Sequence, residues 1–219
     1  SGGKDSTLAL HKAVEKEEVT CLITLCSKNP ESYMFHTPNI GLTTLQAEAL
    51  GLPLISKTTE GKKEQELNDL EEAIVQAIEN FRIDGVVTGA VESVYQSERV
   101  QRICQRQDIW CFNPLWKKNQ KNLLEETVER HFQTIISGIF AYPLDEKWLG
   151  KEIDSKIIQR LIALQKEYDI SPSGEGGEIE TTVLDTPLFR QKIEVINYAI
   201  EAKDNSGIFR INQARLVPK

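Results

Sequence analysis

Two short stretches carry side chains that could do chemistry: "SGGKDS" (1–6), which opens the chain, and "GEGGEIE" (174–180) near its far end. Set between a strand and a helix, Gly2 and Gly3 let the backbone turn tightly and aim several N–H groups into one concavity, to which the new helix adds its positive end. Ser1 and Ser6 can donate hydroxyls, Lys4 brings a mobile positive charge, and Asp5 can hold a cation or its solvation water, so Asp5 is the metal candidate. The set reads as a phosphate cradle. It is not the GxxxxGK(S/T) loop, because Lys4 follows the glycines at once and no long loop is left to wrap a terminal phosphate. The plainer alternative is a solvent-exposed polar turn.

The second stretch places Glu175, Glu178 and Glu180 within six residues of one another, around Gly174, Gly176 and Gly177. Extended from 178 onward, it would put Glu178 and Glu180 on one face, with Ile179, Thr181 and Val183 on the other. Two carboxylates on one face can hold an ammonium ion, collect Mg²⁺, or take a proton from NH₄⁺. Their mutual repulsion raises one pKa, which suits a base. Further candidates are His36, in "YMFH", and Gly89, which allows close backbone approach at a strand end. Arg99 also qualifies, its guanidinium fork matching a phosphate or a carboxylate. His11 and His131 have no such context.

These groups need elements to position them. A helix is expected from Ser6 to Glu18, a buried strand at "VTCLITLC" (19–26), a helix at "LTTLQAEAL" stopped by Gly51, and a strand at "LPLISKT". Leu67, Leu70, Ile74, Ile78 and Phe81 mark a long amphipathic helix that feeds the strand "DGVVTG" (84–89), and Val100, Ile103 and Cys104 mark the next helix. Apolar strands alternating with helices imply a doubly wound parallel sheet, whose ligands lie beyond the carboxyl ends of the strands. After about residue 118 the rhythm changes. Helices near 121–132 and around Ile157, Leu161, Leu164 and Tyr168 precede three strand-like stretches, the last two joined at "AKDNSG", where Asn205 and Gly207 can supply turn geometry. The expected division is 1–118, a parallel-sheet domain, and 119–219, a smaller mixed α/β domain.

With 219 residues, 40% of them hydrophobic and 27% charged, the chain has the composition of an ordinary globular protein. Its net charge of -7 argues against a direct nucleic-acid partner, and no apolar run is long enough to span a bilayer. Four cysteines at 21, 26, 104 and 111 form no CxxC pair; Cys21 and Cys26 lie in an apolar run and Cys104 on a helical face, so these three read as small buried hydrophobes in a reducing compartment. A homo-oligomer is compatible with all of this.

"SGGKDS" resembles the signature of the ATP pyrophosphatases, which cleave ATP between the α and β phosphates and activate an oxygen as an adenylate. In that superfamily the loop follows the first strand of a parallel sheet, so a short strand is expected before Ser1. "ESYMFHTPNI" (31–40), "GAVESVYQSERVQRIC" (89–104), "NPLW" (113–116) and "GEGGEIETTVLDTPLF" (174–189) together resemble the diphthine–ammonia ligase family. Ile179 departs from it, standing where the family usually has an aromatic residue. The resemblance implies a doubly wound parallel sheet of the ATP pyrophosphatase, adenine nucleotide alpha hydrolase-like type, with a second, smaller mixed α/β domain. It also implies ATP and Mg²⁺ as cofactors, and ammonium and elongation factor 2 bearing diphthine as partners, in the cytoplasm. Lys4, Glu175, Glu178 and Glu180 would be catalytic. Ser1, Gly2, Gly3, Lys4, Asp5, Ser6, His36, Gly89 and Arg99 would hold the nucleotide. Two alternatives stay open: an adenylating enzyme that modifies transfer RNA, and a non-catalytic nucleotide sensor.

Overall fold

The computed structural model describes residues 1–29, 38–62 and 65–219. In chain order the elements are α1 (Lys4–Val14), β1 (Leu22–Ser27), α2 (Thr43–Leu50), β2 (Leu54–Thr59), α3 (Gln65–Phe81), β3 (Gly85–Val87), α4 (Val94–Arg106) and β4 (Trp110–Phe112). They continue with α5 (Gln120–Glu129), β5 (Gln133–Ile139), α6 (Ser155–Tyr168), β6 (Ile179–Asp185), β7 (Lys192–Lys203) and β8 (Ser206–Val217). Local chemistry sets several boundaries. Gly51 stops α2 at φ 70°, a left-handed conformation that costs glycine little. Side-chain oxygens of Ser93, Asn119 and Asp154 accept from Gln96, Asn122 and Ile157 backbone N–H groups and so cap α4, α5 and α6, each cap worth roughly 1 kcal/mol.

The strands of the first half are parallel, as their alternation with helices requires, but they form two pairs rather than one continuous sheet. β1 pairs with β2 from Leu22↔Leu54 to Ser27↔Thr59, and β3 pairs with β4 from Gly85↔Trp110 to Val87↔Phe112. β1 and β3 each turn an edge that has no ladder partner among the described residues toward the same cavity, of about 720 Å³. Gly2, Asp5, Ser6, Gly89 and Glu180 line that cavity as well. Against the outer faces, α3 and α4 bury Leu70, Ile74, Val100, Ile103 and Cys104 around Leu25.

The second half is an antiparallel sheet ordered β6-β5-β8-β7. Its core joins Ile136, Ile139, Leu144, Trp148, Leu161 and Ile179. Ile179 is 3% exposed, so the aliphatic replacement of an aromatic is a change of packing inside this core. The β7–β8 hairpin is present, but its left-handed residue is Asp204 (φ 54°), not Asn205 or Gly207. Gly207 instead sits in β8, where a Cβ would crowd Ala202. The four cysteines are free, and Cys104 is buried as expected, whereas Cys21 and Cys26 are only half-buried because β1 turns an edge toward the cavity.

Two clusters weld the halves together, and both pass close to the opening loop. Leu8 and Ala9 of α1 pack with Val91, Leu115, Leu123 and Phe132, while Leu42 and Ala49 pack with Val183, Phe189 and Ile193. Leu8 is fully buried, so Leu8→Ala would cost about 2–5 kcal/mol.

Candidate active site

The opening loop does not lie on the surface; it is stitched to β6. Lys4 N donates to Thr181 Oγ1 at 3.1 Å, across 177 residues of sequence, and Val183 N donates to Gly2 O at 3.1 Å. Gln46 completes the seam, its Nε2 donating to Gly2 O at 2.9 Å and to Val183 O at 2.8 Å. Gly2 stands at φ 74°, and a Cβ there would collide with the Gln46 amide. Ser1 Oγ donates to Ser6 Oγ (3.0 Å), and Ser6 Oγ donates to Gly3 O (3.1 Å), which folds the loop around the start of α1. The positive end of that helix therefore points where an anion would sit.

Lys4 is 2% exposed. Its ammonium donates to Asp5 Oδ2 at 2.8 Å and to Ser173 O at 2.5 Å. Burial alone pushes this ammonium down, but Asp5, Glu175 and Glu180 around it outweigh burial and hold it above the ordinary lysine value. The carboxylates respond in kind. Glu175 is pushed up to about 7 by burial and then by Asp5, against the pull of Lys4. Glu180 is also pushed up to about 7, by burial first and, with Lys4 opposing, by Asp5 and Glu175. Two carboxyls that titrate near neutrality beside a buried lysine can accept or hold a proton at working pH.

Glu178 does not join them. It precedes β6, and its carboxylate accepts from Ser171 N (2.9 Å) and Gly176 N (3.0 Å), bracing the turn that Gly174 (φ 82°) and Gly177 (φ 87°) make possible. The strand begins only at Ile179, so Glu178 stays in the turn while Glu180 enters β6, and the two glutamates that share the surroundings of Lys4 are Glu175 and Glu180. Gly89 allows the close approach expected of it, in the loop after β3: a Cβ there would stand 2.6 Å from the Asp5 carbonyl carbon and from Ser6 N. Arg99 stacks on the Tyr95 ring at 3.3 Å from its centroid, one turn from Gln96, which lines the cavity. His36 lies outside the described residues. His11 is a core histidine, 3.0 Å from Thr186 Oγ1 and pushed down to about 4 by burial and then by Arg130.

Four residues of the site went unflagged: Gln46, Gln120, Ser173 and Thr181. Only Gln46 left a signal, since it occupies the buried stripe of "LTTLQAEAL" between Leu42 and Ala49 where an apolar residue belongs. The others act through contacts that no spacing encodes.

The loop suits the phosphates of a nucleotide: backbone is exposed by two glycines, a helix starts there, and a buried lysine stands at that start. For a metal the fit is narrower. Asp5 Oδ1 is buried with no hydrogen-bond partner, which leaves one hard oxygen to offer. Among the described residues no group of three or more His, Cys, Asp or Glu could hold a metal by itself. A single carboxylate oxygen fits Mg²⁺, which usually takes its other ligands from phosphates and water.

The family model for the diphthamide synthase N-terminal domain matches residues 1–110, and that for the diphthamide synthase C-terminal domain matches residues 119–217. The chain belongs to the diphthine–ammonia ligase family. It is 34% identical over 227 residues to a diphthine–ammonia ligase of Bos taurus, spanning 92% of this chain and 85% of that one. To the diphthine–ammonia ligase of Rattus norvegicus it is 35% identical over 215 residues, 89% of this chain and 80% of the relative. A predicted subunit of a tRNA methyltransferase from Methanocaldococcus jannaschii overlays with a TM-score of 0.45 at 20% identity, covering 85% of this chain and 94% of that one; so loose a likeness does not bear on function. As a diphthine–ammonia ligase family member the chain is an enzyme of ligase type, and both of its matched regions bring side chains to one cluster: Lys4 comes from the first, Glu175 and Glu180 from the second. Among the described residues no helix is long and apolar enough to cross a membrane.

Proposed function

We propose that this ligase amidates the diphthine carboxylate of elongation factor 2 with ammonium, in the cytoplasm, through an acyl-adenylate made from ATP. The observation that carries the reading is the placement of Lys4, at the start of α1, among Asp5, Glu175 and Glu180. In the first step a carboxylate oxygen of the substrate bonds to the α phosphorus of ATP while the bond to the β phosphate breaks, and pyrophosphate leaves. Ser1, Gly2, Gly3, Ser6 and the Lys4 ammonium would hold the departing phosphates, with Asp5 contributing to Mg²⁺, which when bound supplies further neutralisation of the leaving charge. Gly89 and Arg99 would complete the nucleotide's surroundings. In the second step NH₄⁺ gives a proton to Glu175 or Glu180, the freed NH₃ bonds to the acyl carbon, AMP leaves, and the remaining proton is shed.

Raised carboxyls serve this second step twice. Close to neutrality each is charged often enough to attract a small cation and basic enough to take its proton. Glu178 contributes by holding the loop that carries Glu175. The same logic extends to the fold: the two parallel pairs belong to one doubly wound sheet interrupted between β1 and β3, a reading supported by the cavity that both edges share. The division at 118 and 119 then separates a nucleotide half from a half that brings the carboxylates.

Chromatography of the nucleotides formed in the presence of diphthine-bearing elongation factor 2 tests the reading. AMP and pyrophosphate, in step with amide, are expected. ADP as the main product would overturn it.

A further inference from the structure

The side chain of Gln120 stands at a junction that the proposed chemistry has not used. It is the first residue of α5, and its Oε1 accepts three hydrogen bonds at once: from Ser171 Oγ (2.7 Å), Ser173 Oγ (3.0 Å) and Ser173 N (3.2 Å). Its Nε2 donates to Glu92 Oε2 at 3.5 Å. This orientation of the amide is fixed by its neighbours, since a backbone N–H can only donate and a carboxylate only accept. One oxygen of α5 thus fastens the segment 171–173.

What that segment does makes the fastening consequential. Ser173 is 1% exposed, and its carbonyl takes the Lys4 ammonium at 2.5 Å. Its hydroxyl also lies 3.4 Å from Glu175 Oε1, and Ser171 Oγ accepts from Glu175 N at 3.1 Å. A chain of contacts therefore runs from Glu92, after β3, through Gln120 to Ser173, and from there to both Lys4 and Glu175. All of these links but the last, from Ser173 to Glu175, join parts of the molecule far apart in sequence.

We infer that Gln120 is a positioning residue for the amidation proposed above: by fixing Ser173 it sets the distance between the Lys4 ammonium and the Glu175 carboxylate. It acts through Ser171 and Ser173. Its work is geometric, and misplacement of reacting groups by about an ångström can cost on the order of 100-fold in rate.

Two substitutions separate this role from plain support of the fold. Gln120→Ala removes the acceptor and leaves Ser173 N unpaired, so kcat should fall about 10- to 100-fold at every pH. Gln120→Glu keeps an oxygen for all three donors, suits the positive end of α5, and adds a negative charge near Glu175; it gives up the 3.5 Å bond to Glu92, whose exposed carboxylate turns away into water. That charge raises the Glu175 midpoint further, so the acid limb of the rate profile should move to higher pH, while the rate above the new midpoint returns to within about three-fold of the parent. Thermal unfolding checks both proteins, and Gln120→Glu carries the test if the alanine variant does not fold. Parallel pH profiles in parent and Gln120→Glu, or an undiminished rate in Gln120→Ala, would overturn the inference. A readout free of turnover keeps it distinct from the functional reading: in the isolated protein, the side-chain carboxyl resonance of Glu175 followed against pH should move its midpoint upward in Gln120→Glu. An unmoved midpoint would refute the placement of Gln120 even if amide is formed, and a moved midpoint in a protein that forms no amide would refute the ligase reading alone.

Discussion

One lysine among three carboxylates and one carboxylate among three cations make a natural comparison within this molecule. At the site, Lys4 meets Asp5, Glu175 and Glu180. On the flank, Glu126 pairs with Lys12, Lys118 and Arg130, and Arg130 also reaches Glu15 at 2.8 Å. The lysines move in opposite directions. Lys118 is pushed down, by burial and then by Lys12 and Arg130, whereas Lys4 is held up by the anions around it. The decisive difference is water. Side chains of Lys12, Lys118 and Arg130 are each about a quarter exposed, against 3% for Lys4. An imbalance of charge on a partly exposed flank is screened in part, while the same imbalance in the interior must be borne in full by shifted pKa values. A fold gains nothing from that burden, so the buried excess of negative charge points to a task.

The largest expected effect of breaking the buried cluster is on turnover. Lys4→Ala should lower ATP-dependent amide formation by about 1000-fold or more, because the loop loses its lysine cation against the departing phosphates. It should also raise the Glu175 and Glu180 midpoints above about 7, since the cation that opposes their protonation is gone. Steady-state rates and carboxyl titration measure the two together. Next comes Glu180→Gln, which keeps volume and loses charge. Amide formation should drop about 100- to 10,000-fold while ATP still binds by calorimetry, and loss of binding instead would move Glu180 into the nucleotide's surroundings.

Stability supplies a third contrast. A carboxyl with a folded midpoint near 7 and an ordinary unfolded one makes the native state bind more protons between the two values, so stability falls as pH rises from about 4.5 to about 7. Glu180→Gln should therefore be more stable than the parent at pH 8, by roughly 1–3 kcal/mol, and little different near pH 4.5. Denaturant unfolding at the two pH values measures the difference, and a variant equally destabilised at both would remove the buried-charge explanation. Glu126→Gln is the mirror case: about 1 kcal/mol of stability lost and amide formation unchanged.

The smallest effect sharpens the assignment within "GEGGEIE". Glu178→Gln keeps one acceptor for the Ser171 and Gly176 N–H groups, so it should slow amide formation only several-fold. A loss as large as that of Glu180→Gln would return Glu178 to the base.

Sequence alone was informative where a short segment determines its own chemistry. Gly2, Gly3 and Lys4 predict a tight turn that opens a helix beside a charge, and the turn at Gly2 and the start of α1 at Lys4 are both present. The alternation of apolar runs with helical stripes likewise announces the parallel pairs. It was silent where partners are remote. Nothing at Thr181 shows that its hydroxyl meets Lys4 N, nor at Gln120 that its oxygen collects Ser171 and Ser173, since both depend on how the halves pack around Leu8 and Val183. Glu178 falls outside the Lys4 cluster for a local reason that spacing cannot carry: with left-handed turns at Gly174 and Gly177, its carboxylate accepts from Ser171 N and Gly176 N within the loop.

The most direct measurement is the rate of amide formation against pH at fixed, subsaturating total ammonium. Free ammonia rises in proportion to hydroxide across this range, whereas NH₄⁺ stays nearly constant. Proton removal by Glu175 and Glu180, both pushed up to about 7, predicts a rate that climbs through the acid side and levels off above about pH 7, with the plateau abolished in Glu180→Gln. A rate that keeps climbing with free ammonia, alike in parent and variant, would contradict any role for these carboxylates in delivering the nucleophile.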